Sequence, residues 1–501
     1  MWCTILNRYC RHQWKPFDCN IMNLTYKARS GIIWSIGQQF SVKFINLFIT
    51  IILARLLGPA EFGLIAMLSI FIAVGNSLMD SGLTSSLIRT RTAGQKDFST
   101  IFFFNLLGSI IVYGVLFLSA PLIAVFYRQP ALTDIVRVYG LTFLINAFFS
   151  IQSTLLTKEM KFKLQTVIQI PAVILGGCLG VYLAKNGYGT WSLVWMSLLS
   201  ASISTALHWF YSDWRPRLIF NKKSFRKHFH FGYKMTLSGL LDTVYQNLYT
   251  VIIGRFYAAA QLGFYARADS LSQLPIGIIS TAINKVTYPM FSTISNDDVK
   301  LKMVYRRLMQ QVLFWNAPIL IFLALIAHPL ISLLLTDKWL PSVPYFQILC
   351  IAGILYPLHA YNLNILKVKG HSGQFLKLEI VKKVLSVIGI ICVIPFGIMG
   401  LLYFQLFFTV FAYYINSTYS GKLINYPLKE QLLDIAPTLT LSILLGLGCF
   451  YLDNWYSAHY TIHNIFRIIA LSVIYGGFYL GISSSIRLAA LVDFKQLILK
   501  Q

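Results

Sequence analysis

Apolar runs of about twenty residues follow one another from residue 32 to residue 486, separated by Gly, Pro and short basic clusters. In hydrocarbon every backbone N–H and C=O must be bonded within its own segment, so an apolar run of about 20 residues reads as a membrane-spanning helix. So many runs leave one fold class open, an all-α polytopic membrane protein. The charge content agrees: 12% of the residues are charged, about half the roughly 25% of soluble domains. Too little charge remains to cover a surface in water, which excludes a soluble enzyme.

The runs fall near 32–56, 63–83, 100–126, 135–156, 164–184, 188–210, 232–256, 262–288, 308–335, 345–367, 379–397, 400–419, 435–452 and 465–486, about 14 transmembrane helices. The 42 Lys and Arg exceed the 17 Asp and Glu, a formal net charge of +25. A nucleic-acid binder would gather those cations on one face or in one domain. Here they alternate from loop to loop, as orientation in a membrane requires, so no nucleic-acid partner is expected. Basic clusters such as Arg89, Arg91 and Lys96, then Lys158, Lys161 and Lys163, then Arg215 to Lys227, mark the inner loops, whereas the outer loops offer Arg128, Lys185, Lys338 and Arg467. Both termini are expected to be cytoplasmic, with an even number of crossings.

Residues 1–30 form a basic leader without the apolar core of a signal peptide, and Met22 reads as an alternative start. Cys3, Cys10 and Cys19 in that leader match no zinc spacing, and no metal or organic cofactor is expected.

An internal repeat appears at an offset of 200. Thr50–Ala66 and Thr250–Ala266 match at Thr50/Thr250, Ile52/Ile252, Arg55/Arg255, Ala60/Ala260, Gly63/Gly263 and Ala66/Ala266. A weaker match aligns the Leu155 to Leu164 stretch and the turn at Gly187, Tyr188 and Gly189 with Ile365 to Lys377 and the Gly397 to Gly400 turn. Six helices separate the copies, so they share one orientation, a parallel repeat about the membrane normal. The expected layout is an N-lobe of six helices at 31–210, a basic cytoplasmic linker at 211–231, a C-lobe of six helices at 232–420, and two further helices with a cytoplasmic tail at 421–501. Two lobes able to rock about an interface suit alternating access.

The turn ILARLLGPAEFGLIAM after the first helix, the SGLTSSLIR stretch after the second, and the fourteen-helix plan together resemble the Wzx-type polysaccharide flippases. These belong to the multidrug/oligosaccharidyl-lipid/polysaccharide exporter superfamily, and the resemblance is to the branch tied to colanic acid, capsule and teichuronic acid export. It covers nearly the whole chain from Met22. It implies a transporter, not an enzyme, that carries an undecaprenyl-pyrophosphate-linked oligosaccharide to the outer leaflet, driven by a proton or sodium gradient. Its implied partners are a polysaccharide polymerase and glycosyltransferases.

The residues supply candidates independently, because an ionisable group in hydrocarbon costs at least about 2.5–3.5 kcal/mol and therefore faces a cavity or a partner. Gln39, Lys43, Asn46 and Thr50 make one polar stripe on the first helix, at i, i+4, i+7 and i+11. Asp242, Gln246 and Tyr249 make a matching stripe on the seventh, where the repeat places Lys43 opposite Thr243 and Asn46 opposite Gln246. Arg267, Asp269 and Lys285 lie within the eighth helix. Lys or Arg in a low-dielectric cavity would hold a pyrophosphate, while amides, hydroxyls and aromatic rings would hold sugars. Lys43 with Asp242, or Arg267 with Asp269, also read as structural ion pairs. Gly176, Gly177 and Gly180 read as close helix packing, His228 and His230 as solvated, and His359 with Asn362 as a further cavity candidate. A multidrug exporter of the same superfamily is the main alternative. A membrane glycosyltransferase would need paired carboxylates on an outer loop, and none occur.

Overall fold

The computed structural model describes residues 37, 40–80, 82–90, 92–460 and 463–499; Gln39, Met22 and the three leader cysteines lie outside them. Among the described residues there are helices and no strands. In chain order the first half runs α1 (40–56), α2 (Pro59–Asp80), α3 (Leu83–Arg89), α4 (Gln95–Tyr127), α5 (Leu132–Tyr139), α6 (Leu141–Lys158), α7 (Phe162–Lys185), α8 (Thr190–Tyr211), α9 (Lys222–Gln246), α10 (Leu248–Phe256) and α11 (Ala259–Thr293). There follow α12 (Asp298–Leu325), α13 (Ala327–Leu335), α14 (Val343–Gly353), α15 (Tyr356–Val368), α16 (Ser372–Val393), α17 (Gly397–Leu423), α18 (Leu428–His459), α19 (Asn464–Ser485) and α20 (Ala489–Leu499). Where they are described, the apolar runs of the sequence fall on these helices. Ten helical segments among the described residues are long and apolar enough to cross a membrane.

The chain divides into two compact units, residues 1–263 and 264–501, with the division inside α11. In the first unit α7 and α8 pack with almost no gap. A Cβ on Gly176 would lie 2.8 Å from the Met196 carbonyl oxygen, one on Gly180 would lie 3.0 Å from the Met196 side chain, and one on Gly177 would run into Ile49 of α1. The three glycines are thus a packing seam, as small residues are where membrane helices meet. Leu83, Leu87, Phe98, Ile101, Phe102 and Ile151 form a buried cluster bordered by Trp209 and Trp214.

Basic linker residues from Lys222 onward are helical, because the Asn221 side chain caps α9 by accepting from the Lys223 and Ser224 amides at 2.9 and 3.1 Å. Arg215 is tied down as well. Its guanidinium donates to the Trp209 carbonyl at 2.8 Å and lies 5.3 Å from the Trp209 ring centroid.

The second unit is bound by hydroxyls and by ion pairs. Tyr475 and Tyr479 of α19 donate to the carbonyls of Ser442 and Phe314 at 3.2 and 2.8 Å. Arg467 grips Asp453 with two hydrogen bonds of 2.5 Å, joining α19 to α18.

Local geometry repeats where the sequence does. The turn after α1 closes with Leu57 N–H on Leu53 at 2.7 Å, and the turn after α10 with Tyr257 N–H on Ile253 at 3.0 Å, an offset of 200. At an offset of 210 the ends of α6 and α15 carry the same set of bonds. Glu159, Met160 and Lys161 donate to Leu155, Thr157 and Leu156, and Lys369, Gly370 and His371 donate to Ile365, Lys367 and Leu366. Each cap needs a left-handed residue, which is Met160 at φ 57° in one copy and Gly370 at φ 79° in the other. A residue with a Cβ pays about 1–2 kcal/mol there, so Met160→Gly is expected to stabilise the protein by about 0.5–1 kcal/mol after its own entropy cost, read as a higher unfolding temperature in detergent.

Both copies also use a lysine to hold the preceding hairpin. Lys158 donates to the Leu87 and Thr90 carbonyls at 3.3 and 2.7 Å, and Lys369 donates to the Ser295 carbonyl at 2.6 Å and pairs with Asp298.

Within the first unit the two offset-200 turns meet each other. A Cβ on Gly63 would fall on the carbonyl oxygen of Ala259, and a Cβ on Gly263 would fall on that of Pro59. Pro59 and Ala259 are themselves related by the offset of 200, so the crossing is reciprocal and backbone touches backbone.

Candidate functional site

The α1 stripe survives folding where it is described. Lys43 and Asn46 are exposed, and Thr50 is half-buried. Asn46 lines a cavity of about 310 Å³ inside the first unit, together with Asn146 of α6 and Ser197, Ser200 and Ser204 of α8. The sequence reading selected Asn46 and missed the other four, which sit singly in apolar helices. They come together because Thr205 of α8 donates to the Ile145 carbonyl of α6 at 3.0 Å, while the glycine seam brings α7, α8 and α1 close.

On α9, Asp242 and Gln246 are exposed and one turn apart. The stripe was expected to run on to Tyr249 within one helix, but α9 ends at Gln246 and α10 begins at Leu248. Asn247 makes the break: its side-chain amide donates to the Thr243 carbonyl at 2.9 Å, and its carbonyl oxygen accepts from Ser69 at 3.3 Å. Asn bonding of this kind competes with a continuous helix.

In the second unit Arg267 and Asp269 of α11 are half-buried, and Gln273 donates to Asp269 Oδ1 at 3.4 Å. Residues two apart on a helix do not face each other, so an Arg267–Asp269 pair along α11 has the wrong phase. Lys285 lies on α11, with its side chain outside the described residues.

The second unit holds a buried polar cluster that the sequence reading touched only at His359 and Asn362. Lys382 of α16, 8% exposed, pairs with Glu379 and donates to Asn416 Oδ1 of α17 at 2.9 Å. The Asn416 amide in turn donates to His359 Nδ1 of α15 at 3.1 Å, which leaves the imidazole proton on Nε2. Beside it, Tyr305 and Ser420 both donate to Asn362 Oδ1, at 2.7 and 2.5 Å. Lys382 escaped notice because the run at 379–397 places it beside the membrane boundary. The helix starts at Ser372, so Lys382 lies ten residues in, about 15 Å along the axis.

His228 corrects an expectation. It was read as solvated in a basic loop, yet it is fully buried at the start of α9, where the Asn221 cap turns the chain inward. Its Nδ1 lies 2.8 Å from Ser86 Oγ and its Nε2 3.5 Å from Asp97 Oδ1, which ties α9 to α3 and α4. Burial pushes the imidazole below its ordinary pKa, against the upward pull of Asp97. A native pKa below the unfolded value means that stability is lost as pH falls below about 6.5. A thermal-stability profile between pH 5 and 8 is expected to show that loss, and His228→Gln to flatten it.

The described stripes, cavity and buried cluster belong to a chain whose relatives are identifiable. The polysaccharide biosynthesis protein family matches residues 52–344. The lipopolysaccharide biosynthesis protein WzxC of Escherichia coli (strain K12) is 25% identical over 439 residues, covering 85% of this chain and 89% of its own. The teichuronic acid biosynthesis protein TuaB of Bacillus subtilis (strain 168) is 24% identical over 353 residues, covering 70% and 73%. Among solved structures, the lipid II flippase MurJ in an inward closed conformation superimposes with a TM-score of 0.73 at 14% identity, over 92% of this chain and all of that one. The chain is a multi-pass membrane protein that belongs to the polysaccharide biosynthesis protein family.

Proposed function

We propose that this protein moves undecaprenyl-pyrophosphate-linked polysaccharide repeat units from the inner to the outer leaflet of the bacterial cytoplasmic membrane by alternating access. The observation that carries this reading is family membership with relatives named for polysaccharide biosynthesis along most of the chain. Lys43 in an otherwise apolar helix supports it, because an exposed ammonium at membrane depth suits an anionic headgroup.

In this reading the chain crosses the membrane fourteen times. Ten apolar segments are identified, one of which, Ser372–Leu423, contains both α16 and α17. The apolar α1 and the more polar α9–α10 and α11 make up the rest. Helices 1–6 and 7–12 form two lobes, the last two are appended, and both termini are cytoplasmic. Transport draws on a proton or sodium gradient and uses no organic cofactor, with glycosyltransferases and a polymerase acting before and after it.

Reconstitution tests the reading. Proteoliposomes loaded with lipid-linked repeat units are expected to expose them on the far leaflet only when the protein is present. Export of cationic drugs without movement of the lipid would favour a multidrug exporter instead. Lys43→Ala and Arg267→Ala are each expected to slow lipid transport roughly tenfold or more at unchanged abundance, the loss of one charge-assisted contact; wild-type rates in both would remove these residues from the pathway.

A further inference from the structure

The cavity at Asn46 differs chemically from the rest of the polar pathway. Two asparagines and three serines line it beside the ring of Phe149 and the side chain of Met196, and no ionisable residue does. Its volume, about 310 Å³, is at the lower end of small-molecule sites, roughly 300–1,000 Å³.

Among the described residues the side chains of Asn46, Asn146 and Ser200 make no hydrogen bond to another residue. Asn46 is exposed and Asn146 and Ser200 are half-buried, so three polar groups that line the cavity stay open to a ligand. The Phe149 ring is held in place by His208, which is 1% exposed and stacks on it with ring centroids 4.7 Å apart.

We infer that this cavity binds a neutral sugar ring of the transported glycan. The inference rests on the flippase reading and adds a substrate class to one site. Amides and hydroxyls can donate to and accept from ring hydroxyls, and Phe149 offers an apolar face for the C–H side of a sugar. A charged sugar would find no counter-charge in the lining. Lys43 lies three residues before Asn46, on the same face of α1, so one helix reads both the anionic headgroup and an adjoining sugar.

Two binding arms test this with detergent-solubilised full-length protein. In the first, the host's repeat-unit oligosaccharide, freed from its lipid by mild acid, is titrated into wild type, Ser200→Trp and Asn146→Leu. Ser200→Trp fills the cavity, and Asn146→Leu keeps its volume but removes an amide. Each is expected to weaken binding by about tenfold or more. No binding by wild type, or unchanged binding by Asn146→Leu, overturns the site, and Asn146→Leu decides alone should the tryptophan variant fail to fold.

In the second arm, undecaprenyl pyrophosphate without sugar is expected to bind both cavity variants as it binds wild type, and to be weakened by Lys43→Ala. Loss of lipid binding in the cavity variants would overturn the assignment to sugar. Sugar binding without lipid binding in wild type would leave the cavity standing and strike the flippase reading alone.

Discussion

Lys382→Met is expected to cost about 3–5 kcal/mol of stability, the penalty for breaking a buried ion pair and leaving one charge behind. The Lys382 side chain is 10% exposed and that of Glu379 27%. The ammonium also holds Asn416, which holds His359, so its removal unties α15, α16 and α17 together. Replacing both charges by neutral groups is often tolerated where breaking a pair is not. The double variant Glu379→Gln/Lys382→Met is therefore expected to regain most of the lost stability. Thermal unfolding of the purified proteins in one detergent reads both. A single variant as stable as wild type would show that the pair contributes nothing to folding.

Gly63→Val is expected to abolish most transport while leaving the protein in the membrane. A Cβ at Gly63 would occupy the space of the Ala259 carbonyl oxygen, and a backbone atom cannot swing aside as a flexible side chain can. Overpacking of this kind costs about 1–3 kcal/mol, and contact with backbone places it at the upper end. In the two-lobe reading proposed above, these turns join the first and second helices of each lobe on the outer side. Separating them would then disfavour the conformation described here and populate one with the turns apart. Gly263→Val should do the same, because the crossing is reciprocal. The measurements are transport in complemented cells and labelling of a cysteine placed beside the turn by an impermeant reagent. Unimpaired transport with unchanged labelling in both variants would show that the crossing does not have to be this close.

The helices were legible in the sequence because the membrane imposes a single rule on every crossing, and the position of each apolar run is enough to find it. The repeat was legible for a similar reason: Gly63, Gly263 and the turn that ends in Gly370 are demanded by backbone geometry, which side-chain drift cannot erase. The second copy of that turn uses Met160, where composition gives no hint of a left-handed residue, so the match was seen only as a weak one.

Single residues were harder. Lys43 and Asn46 stood out as polar residues at helical spacing, whereas Asn146, Ser197, Ser200 and Ser204 are ordinary until two further helices bring them to one cavity. Lys382 was hidden by a misplaced helix start of seven residues. His228 was hidden by its basic neighbours, since only the cap at Asn221 decides which way that segment turns.

The central claim is transport of a lipid-linked glycan between leaflets, and deletion of the gene in its host tests it most directly. Undecaprenyl-linked oligosaccharides would be extracted and their leaflet determined with an impermeant reagent. Complete repeat units confined to the inner leaflet, and returned to the outer one by the wild-type gene, are the predicted result. Incomplete units would point to a glycosyltransferase, and an unchanged lipid pool with normal leaflet distribution would contradict the flippase account.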